Sequence, residues 1–427
     1  MTAAAPTVAP AADAAARVER AGADADAGGA VLSVRAVPAI AEIPAAAWDA
    51  CAGAGPGAAA NPFTRHAFLA ALESSTSATA RTGWQPQHLI VEAADGAIIG
   101  VAPCYLKSHS RGEYVFDRGW ADAYEHAGGS YYPKLQVCVP FTPATGPRLI
   151  AAPGARQAEA QSALAQALVE LTRLRGASSA HVTFMTQGEC HAVAERGFLT
   201  RTDQQFHWEN AGFATFEDFL SALASRKRKA IRRERREALA NGIEVCWLSG
   251  KDLTEAAWDA FFAFYMETGS RKWGRPYLTR EFFSTIGATM ADETVLIMAR
   301  RAGRFIAGAI NFVGAGTLFG RHWGAIEHHP FLHFEICYYQ ALDYAIAHKL
   351  ARVEAGAQGE HKLARGYLPN TTYSAHYIAD PALRRAIDDY LKRERAYVEA
   401  AATEFREASP FRKETLRKGD DENNLKT

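Results

Sequence analysis

Two segments of this chain carry the same features in the same order, a little over 200 residues apart. Residues 89–126 and residues 296–329 each contain a β-rich run, a glycine turn and a second β-rich run. Each segment then has a third run, which ends at Trp120 or Trp323. Apolar runs separated by glycine turns are typical of antiparallel hairpins. The spacing is far longer than a solenoid unit, so the repeat predicts two similar domains in tandem rather than two β-meanders that look alike by chance.

Each copy continues with a helix and a short strand. In the first copy the predicted helix spans residues 155–175 and the strand residues 180–185. In the second copy the helix spans residues 335–349, where apolar side chains recur at helical spacing, and the strand spans residues 351–356. Antiparallel strands followed by a helix and further strands are typical of an α+β fold. We therefore predict that each domain is a mixed, largely antiparallel sheet with flanking helices.

The predicted domains cover residues 32–208 and residues 209–408, and we expect them to pack face to face with a cleft between them. Residues 1–31 are rich in alanine and residues 409–427 are polar, so we predict two loosely ordered tails. The first tail lacks the charged start and leucine-rich core of a secretory signal, and no run of about 18 apolar residues occurs. We expect a cytoplasmic protein with at most peripheral contact at the inner face of the membrane.

A strongly basic helix is predicted at residues 215–241, inside the second domain, and Thr215 and Asp218 at its start fit a capping box. Eight of the eleven residues from Arg226 to Arg236 are basic. A solvated surface helix, a clamp for the phosphates of tRNA, coenzyme A or a lipid headgroup, and peripheral membrane contact are the three interpretations. DNA is not an expected partner, because 47 Lys and Arg balance 47 Asp and Glu and no second recognition element is evident. The candidate anion-binding residues are Arg226, Lys229, Arg232 and Arg233.

Residues 119–150 and residues 334–376 resemble signature segments of the FemAB-like proteins, which are found widely in proteobacteria. The resemblance covers about residues 32–408. It implies two tandem domains like the acyl-CoA N-acyltransferase (GNAT) fold, in agreement with the repeat. It also implies transfer of an acyl or aminoacyl group to an amine, since the family is similar to the peptidyltransferases that add amino acids to cell-wall precursors.

The donor is less well defined than the family. Residues 327–335 contain no glycine where ordinary acetyltransferases have a pyrophosphate-binding loop, and no long helical arm like that of the tRNA-using enzymes is found. We expect an acyl-CoA or acyl carrier protein thioester as co-substrate, with aminoacyl-tRNA as the alternative, and no permanently bound cofactor. The expected acceptor is a small-molecule or lipid amine, or a cell-envelope precursor. A non-catalytic protein that recognises cell-wall fragments or lipid headgroups is the third interpretation.

Residues 354–376 hold the densest set of groups suited to acyl transfer. The reaction needs a base for the amine, hydrogen-bond donors for the developing oxyanion and alignment of both substrates. Glu354, Glu360 and His361 are the candidate general bases. An ordinary solvated loop is the alternative. The candidate substrate-binding residues of this segment are Lys362, Arg365, Tyr367 and His376.

Other candidate substrate-binding residues lie outside that segment. Arg321 could bind an anionic group and Trp323 could pack on an acyl chain, although a strand end with a core tryptophan would look the same. His333 and Glu335 lie at the start of the main helix of the second copy. They are candidates for substrate contact at the mouth of that helix, beside the acyl site, or for ordinary helix capping. No metal site is expected, because Pro330 interrupts the histidine-rich stretch and the six cysteines are far apart. Stiff loops of the first copy contribute the candidates Tyr132, Lys134 and Arg148.

Overall fold

The computed structural model describes residues 17–19, 32–54, 60–273, 276–357 and 359–412. The predicted tails lie outside these residues, except for residues 17–19, which form a strand, and residues 409–412. The strands, in chain order, are β1 (Arg17–Glu19), β2 (Ser33–Val37), β3 (Trp84–Pro86), β4 (His88–Glu92), β5 (Ile98–Ala102), β6 (Cys104–Lys107), β7 (Lys134–Val137), β8 (Ile150–Ala151), β9 (Ser179–Met185), β10 (Leu199–Glu209), β11 (Ile243–Leu248), β12 (Thr294–Arg301), β13 (Arg304–Gly314), β14 (Thr317–Ala325), β15 (Arg352–Glu354) and β16 (Leu368–Ile378).

A π-helical turn, Glu335–Tyr339, joins two of the helices into one continuous helix. The α-helices are α1 (Ala45–Cys51), α2 (His66–Ser74), α3 (Arg118–His126), α4 (Gln157–Leu174), α5 (Gln187–Ala194), α6 (Phe216–Ala222), α7 (Ser225–Ala238), α8 (Glu255–Trp273), α9 (Arg280–Thr289), α10 (Leu332–Phe334), α11 (Gln340–Ala347) and α12 (Pro381–Glu407). Within the described ranges, none of these helices is both long enough and apolar enough to cross a membrane.

The strands form two sheets. A smaller sheet has the order β1-β2-β4-β5-β8, and a larger one has the order β11-β12-β13-β14-β15-β10-β16-β9-β7-β6-β3. Neighbouring strands are antiparallel except for two parallel pairs, β7 with β9 and β14 with β15. One parallel pair therefore occurs in each half of the chain, at the place where the helix of each copy returns the chain to the sheet.

The two halves exchange strands, and this corrects the prediction of face-to-face packing. Strand β10, which ends the first half, lies between β15 and β16 of the second half. Strand β16 in turn pairs with β9 of the first half. The halves are therefore joined edge to edge in one continuous sheet. The predicted boundary at residues 208 and 209 falls at the end of a shared strand.

Helix α4 shows why the sequence pattern predicted a helix at residues 155–175. Its apolar residues are spaced three or four apart, so they share one face, which packs between the two sheets. Burying each leucine of that face contributes about 1.5–3 kcal/mol. The fully or almost fully buried residues are Ala160, Leu164, Leu168 and Leu171.

The predicted basic helix at 215–241 is two helices. The predicted capping box is present, since the Thr215 side chain accepts from the Asp218 backbone and the Asp218 carboxylate accepts from the Thr215 backbone. The chain then becomes extended at Leu223, whose side chain is buried and whose backbone forms a bridge with Phe411. The Ala224 backbone N–H donates to the Pro410 carbonyl at 2.9 Å, which replaces a hydrogen bond within a helix. A second helix, α7, begins after this break.

The predicted third strand of the first copy is also corrected. Trp120 lies in helix α3, where its ring packs edge-on against His376 of strand β16. In the second copy, Trp323 does lie in the third strand of the meander, β14. The two halves thus share an architecture, but the segment after the second strand folds differently in each.

Candidate functional site

Strands β14 and β15 stop pairing partway along β14, which leaves an opening between them in the larger sheet. They pair over three residues, from Thr317 with Arg352 to Phe319 with Glu354. Strand β15 ends there, whereas β14 continues to Ala325. The opening does not depend on a side-chain movement, because β15 is shorter than its parallel neighbour β14.

A β-bulge lies on β14 beside the opening. Ile310 pairs with His322 while the next residue, Asn311, pairs with Gly320, so Arg321 is the extra residue on β14. A bulge breaks the alternation of side chains and turns two successive residues toward the same face. The guanidinium of Arg321 donates to the backbone carbonyl of Phe141, which belongs to the first half. Both halves therefore contribute to the wall of the opening.

Two adjoining cavities occupy this region. The inner cavity has a volume of about 180 Å³ and lies at the opening between the strands. The outer cavity, of about 520 Å³, lies toward α10, and the two share Trp323 and His333. The inner cavity is lined by Tyr265, Gly269, Ala309, Asn311, Gly320, Arg321, His322, Trp323, His333, Cys337, Tyr338 and Ala355. Sequence reasoning placed three of these residues at the site, namely Arg321, Trp323 and His333.

Glu354 is the last residue of β15 and lies next to the cavity-lining Ala355. Its side chain is 7% exposed, and its nearest ionisable contact is the His207 Nε2, 3.9 Å from Oε2. Within the described chain this Oε2 atom has no hydrogen-bond partner. Burial raises the pKa of Glu354 to about 7, against the opposing effects of Arg352, Arg321 and Arg148. A carboxylate with a pKa near neutrality suits a general base.

The segment after Glu354 forms the 3-10 helix Glu360–Arg365. The exposed His361 places its Nε2 2.8 Å from the Tyr338 hydroxyl, which lines the inner cavity. Glu360 is exposed. Lys362 is buried, donates to the Gly356 carbonyl at 2.8 Å, and has its pKa lowered to about 8 by burial. Lys362 therefore closes the turn that follows β15. Glu360 and His361, which precede it, face the solvent.

Helix α7 is fixed to this region by ion pairs on its inner face. Arg365 donates to the Glu234 carboxylate at 2.8 Å and to the His361 carbonyl at 2.8 Å. Arg235 makes a two-pronged pair with Glu335, at 2.9 and 3.1 Å. Such paired contacts hold a helix in a defined position better than single ones.

The predicted position of Glu335 at the mouth of the cavity is therefore corrected. Its side chain is fully buried under α7, where Arg235 and Gln340 take up its oxygens. Tyr367 is likewise fully buried, and its ring packs against Tyr338 at 5.6 Å. These two residues support the elements that line the cavity.

The remaining candidates lie in the first half or at its junction with the second. His376 is buried 2.6 Å from His181, Nδ1 to Nδ1, well inside the shared sheet. Lys134 is buried and paired with Glu113 and Asp117. Neither side chain is open to solvent in the structure, so these positions do not support substrate contact.

The other two first-half candidates have different surroundings. The Tyr132 hydroxyl lies 2.8 Å from the Ser110 hydroxyl. Arg148 is buried, and its guanidinium donates to the carbonyls of Ala144, Pro147 and Thr183. Arg148 nevertheless lies close enough to Glu354 to lower the pKa of that carboxyl. It acts on the site through its charge.

The outer face of α7 carries the predicted anion-binding residues. Arg232 pairs with Glu217, and Arg233 lies 3.6 Å from Glu237. Arg226 and Lys229 are exposed and enter no ion pair with any residue that the structure describes. Helix α10, at the outer cavity, packs against α7, so the helix that carries these cations lies beside that cavity.

The histidine-rich stretch contains no metal-binding group within the described part of the chain. Its His329 is paired with Glu327 at 3.0 Å. Sequence reasoning missed Asn311, Cys337 and Tyr338 at the inner cavity. Asn311 carried a usable signal, because it is a polar residue in an apolar strand; the other two are ordinary residues of a helical pattern.

Comparison with known proteins agrees with this architecture. The model of the FemAB-like family, described as peptidoglycan biosynthesis/recognition, matches residues 39–413. No curated protein sequence matches the chain. The crystal structure of FemX has a TM-score of 0.51 and 12% identity, covering 81% of this chain and 98% of FemX.

Two further solved structures are similar at lower scores. A tandem GNAT protein from the clavulanic acid biosynthesis pathway has a TM-score of 0.42 and 15% identity, covering 82% of this chain and 99% of its own. The C-terminal domain of a putative lysylphosphatidylglycerol synthetase from Agrobacterium fabrum has a TM-score of 0.46 and 8% identity, covering 77% and 90%.

The family match spans most of the chain, and the FemX likeness shows the fold. The predicted fold class is confirmed: the chain has two tandem GNAT-like domains built on mixed, largely antiparallel sheets. This chain belongs to the FemAB-like family of peptidoglycan biosynthesis and recognition proteins.

Proposed function

We propose that the protein is an N-acyltransferase, which moves an acyl group from a phosphate-bearing activated donor to an amine, with Glu354 as the general base. The observation that carries the proposal is the position of Glu354: a buried carboxylate with a pKa of about 7 lies where two parallel strands separate and a cavity begins. A purely structural role would not require a carboxylate that keeps an oxygen without a partner inside the described chain.

The reaction needs no covalent enzyme intermediate. The Glu354 carboxylate takes a proton from the acceptor ammonium, and the free amine attacks the acyl carbon. A C–N bond forms, and the C–S bond of a thioester or the C–O bond of an ester breaks. The nitrogen gives up its second proton as the amide forms, and the leaving thiolate or alkoxide takes up one proton, which the Tyr338 hydroxyl, linked to His361, could pass between them. The proton held by Glu354 is then released to solvent.

The two cavities suit two substrates. The inner cavity, beside Glu354, is the place for the amine and the acyl carbon. The outer cavity is larger, and its wall includes Trp323, His333 and Phe334, which offer flat surfaces for the non-reacting part of the donor. The exposed cations of α7 lie beyond it and would hold the donor's phosphates.

A thioester of coenzyme A or of acyl carrier protein is the first candidate donor, and aminoacyl-tRNA is the second. The observation that favours tRNA is the length of the basic surface: Arg226 to Arg236 on α7 extends over about 15 Å, longer than a single pyrophosphate. The successive phosphates of an RNA backbone would contact the whole length of this basic surface. The proposed acceptor is a lipid amine, a small-molecule amine or a cell-envelope precursor.

The test begins with purified protein, a panel of acyl-CoA thioesters and a charged tRNA, each with a panel of amines. Thiol release and the acylated amine are measured. We expect Glu354→Gln to lower kcat about 100- to 10,000-fold, since that is the usual contribution of a general base. The matched control is Glu360→Gln, an exposed carboxylate in the following turn, which should keep its activity.

The outcomes separate the candidates. Transfer from a thioester supports the first donor, and transfer from charged tRNA alone supports the second. Equal activity of the wild type and Glu354→Gln would refute Glu354 as the base. Binding of cell-wall fragments without turnover of any donor would instead support the non-catalytic recognition protein.

The donor-phosphate surface is tested separately. Arg226→Glu together with Lys229→Glu reverses two exposed charges of α7 that pair with nothing in the described chain. We expect the KM for the donor to rise several-fold at low salt, with kcat unchanged, because phosphate contacts are screened by salt. Arg385→Glu together with Arg393→Glu, two exposed arginines of helix α12, changes the net charge by the same amount and is the control. An unchanged KM would place the phosphates elsewhere.

A further inference from the structure

Arg321 is a cation in the wall of the inner cavity without an anionic partner. Its guanidinium donates to the backbone carbonyl of Phe141, which is a neutral acceptor. No carboxylate of the residues that the structure describes lies within 4.0 Å of it, and the described residues that line this cavity include no aspartate or glutamate. A guanidinium has five N–H donors, so the contact with Phe141 leaves donors for a ligand.

The neighbouring arginines have an acidic partner or several backbone acceptors. Arg365 pairs with Glu234 at 2.8 Å. Arg148 donates to three backbone carbonyls and lines neither cavity. Taking a charge out of water is costly unless an anion or several acceptors replace the water. Arg321 is partly buried and has neither arrangement among the described residues, which indicates a place for a bound anion.

Glu354 supplies the opposite charge at the same opening. Its Oε2 has no hydrogen-bond partner within the described chain, and its nearest ionisable contact is the His207 Nε2, 3.9 Å away. Burial lowers the pKa of His207 to about 3, so this imidazole is neutral and does not offset the charge of the carboxylate. A cationic ligand group would therefore be stabilised beside Glu354.

The two charges come from neighbouring positions of paired strands. Phe319 on β14 pairs with Glu354 on β15. Gly320, the next residue, lines the inner cavity, and a Cβ placed there would lie 3.4 Å from the Glu354 carbonyl oxygen. Arg321 follows directly. No ion pair within 4.0 Å joins Arg321 and Glu354 in the described chain, so each charge is available to a ligand in the cavity between them.

The inner cavity is small and its lining is mixed. Its volume of about 180 Å³ is below the range of about 300–1,000 Å³ that is usual for drug-sized ligands. Ala309, Gly320 and Ala355 have no atoms beyond Cβ and leave the space open, while Asn311 and Trp323 add a polar amide and a flat apolar surface. A ligand of a few heavy atoms with charged groups fits this lining.

We propose that the amine acceptor is a small zwitterionic amino acid, whose carboxylate binds Arg321 and whose ammonium faces Glu354. The proposal deepens the function proposed above and rests on it for the reaction, whose product is then an N-acyl amino acid. Each charge of an amino acid meets the opposite charge of the cavity. A simple amine would leave Arg321 without an anion, and a phosphate would bring further negative charge beside Glu354.

The test measures binding without an acyl donor, so it does not depend on turnover. The full chain is screened by saturation-transfer NMR with glycine and the common L-amino acids. The amino acid that binds most tightly is then compared with the amine that lacks its carboxylate and with the acid that lacks its amine, as L-leucine with isopentylamine and isocaproate. We expect each analogue to bind about 10- to 100-fold more weakly, because each loses one charge-assisted contact.

Substitution of Arg321 tests which residue holds the carboxylate. Arg321→Met should lower the affinity for the amino acid to that for the amine and leave the affinity for the amine unchanged. Arg321→Lys should keep part of the preference, because it retains the charge without the forked donors. The matched control is Arg300→Met, which removes an exposed arginine paired with Glu244 and should keep the full preference. Urea unfolding shows whether each variant is folded, and Arg321→Lys decides if Arg321→Met is not.

Absence of binding by every amino acid would overturn the proposal, as would equal binding of the amino acid and its amine, or a preference that persists in Arg321→Met. Equal binding of the amino acid and the acid without an amine would assign Arg321 to a carboxylate of the acyl group and overturn the identity of the acceptor. Selective binding of an amino acid without turnover of any donor would support this proposal and count against the transferase. Transfer to amines with and without a carboxylate at the same kcat/KM would support the transferase and overturn the amino acid as acceptor.

Discussion

The contact between Arg235 and Glu335 gives the sharpest prediction about stability. Glu335→Ala removes a fully buried carboxylate that receives two hydrogen bonds from Arg235, at 2.9 and 3.1 Å, and a third from Gln340 at 2.8 Å. Removing one partner of a buried ion pair usually costs 3–5 kcal/mol, because the other charge stays behind. Here Arg235 keeps Asp343, 2.6 Å away, so we expect a loss at the lower end, about 3 kcal/mol.

The assay is urea unfolding at pH 7.5, with the free energy of unfolding compared between the variant and the wild type. The matched control is Glu244→Ala, an exposed carboxylate that pairs with Arg300, for which we expect about 0–1 kcal/mol. The same samples are assayed for transfer. A loss of unfolding free energy below about 1 kcal/mol for Glu335→Ala would refute the structural role. Full stability together with lost activity would also refute it and would indicate that Glu335 contacts the substrate.

Two further predictions concern the core. The imidazoles of His181 and His376 are buried 2.6 Å apart and their pKa values are lowered, that of His181 to about 3. The unfolded chain binds more protons below about pH 6.5, so stability should be complete above that pH and fall toward pH 3, by up to about 1.4 kcal/mol per pH unit for each imidazole. Urea unfolding from pH 8 to pH 5 measures the slope, which His181→Asn should flatten; an unchanged slope would contradict the assignment. A Cβ at Gly324 would overlap the Phe264 carbonyl of α8, so Gly324→Ala should cost about 1–3 kcal/mol in the same assay. Gly119→Ala, in open space on helix α3, should cost nothing.

Some features followed from short-range physics and could be read from the sequence. The repeat of β-rich runs predicted two copies of one α+β architecture, and a helix was predicted at residues 155–175, where α4 buries its leucines. The capping box at Thr215 and Asp218 formed as expected, because its hydrogen bonds join residues only three apart. Glu354 was a candidate base from its residue type and its place after a strand.

Other features depended on contacts between residues far apart in the chain. The break after Ala222 is set by Pro410 and Phe411, nearly 190 residues later, whose backbone takes the place of a helical turn. Glu335 is buried because α7 covers it, and Lys134 is buried because residues 108–117 fold over it. The charge and residue type of Glu335 and Lys134 are evident from the sequence, but the neighbours that neutralise these two charges are not.

The sequence by itself determined the number of domains, their strand and helix content and the location of the basic run, since these depend on periodicity and on neighbours within a few residues. Only the tertiary structure decided that β10 and β16 would join the two halves in one sheet, and that the Phe141 carbonyl of the first half would accept from Arg321 of the second. The physical reason is that hydrogen-bond partners and desolvation are properties of the folded surroundings. A carboxyl that is ordinary in the extended chain has a pKa of about 7 only where the fold removes its water.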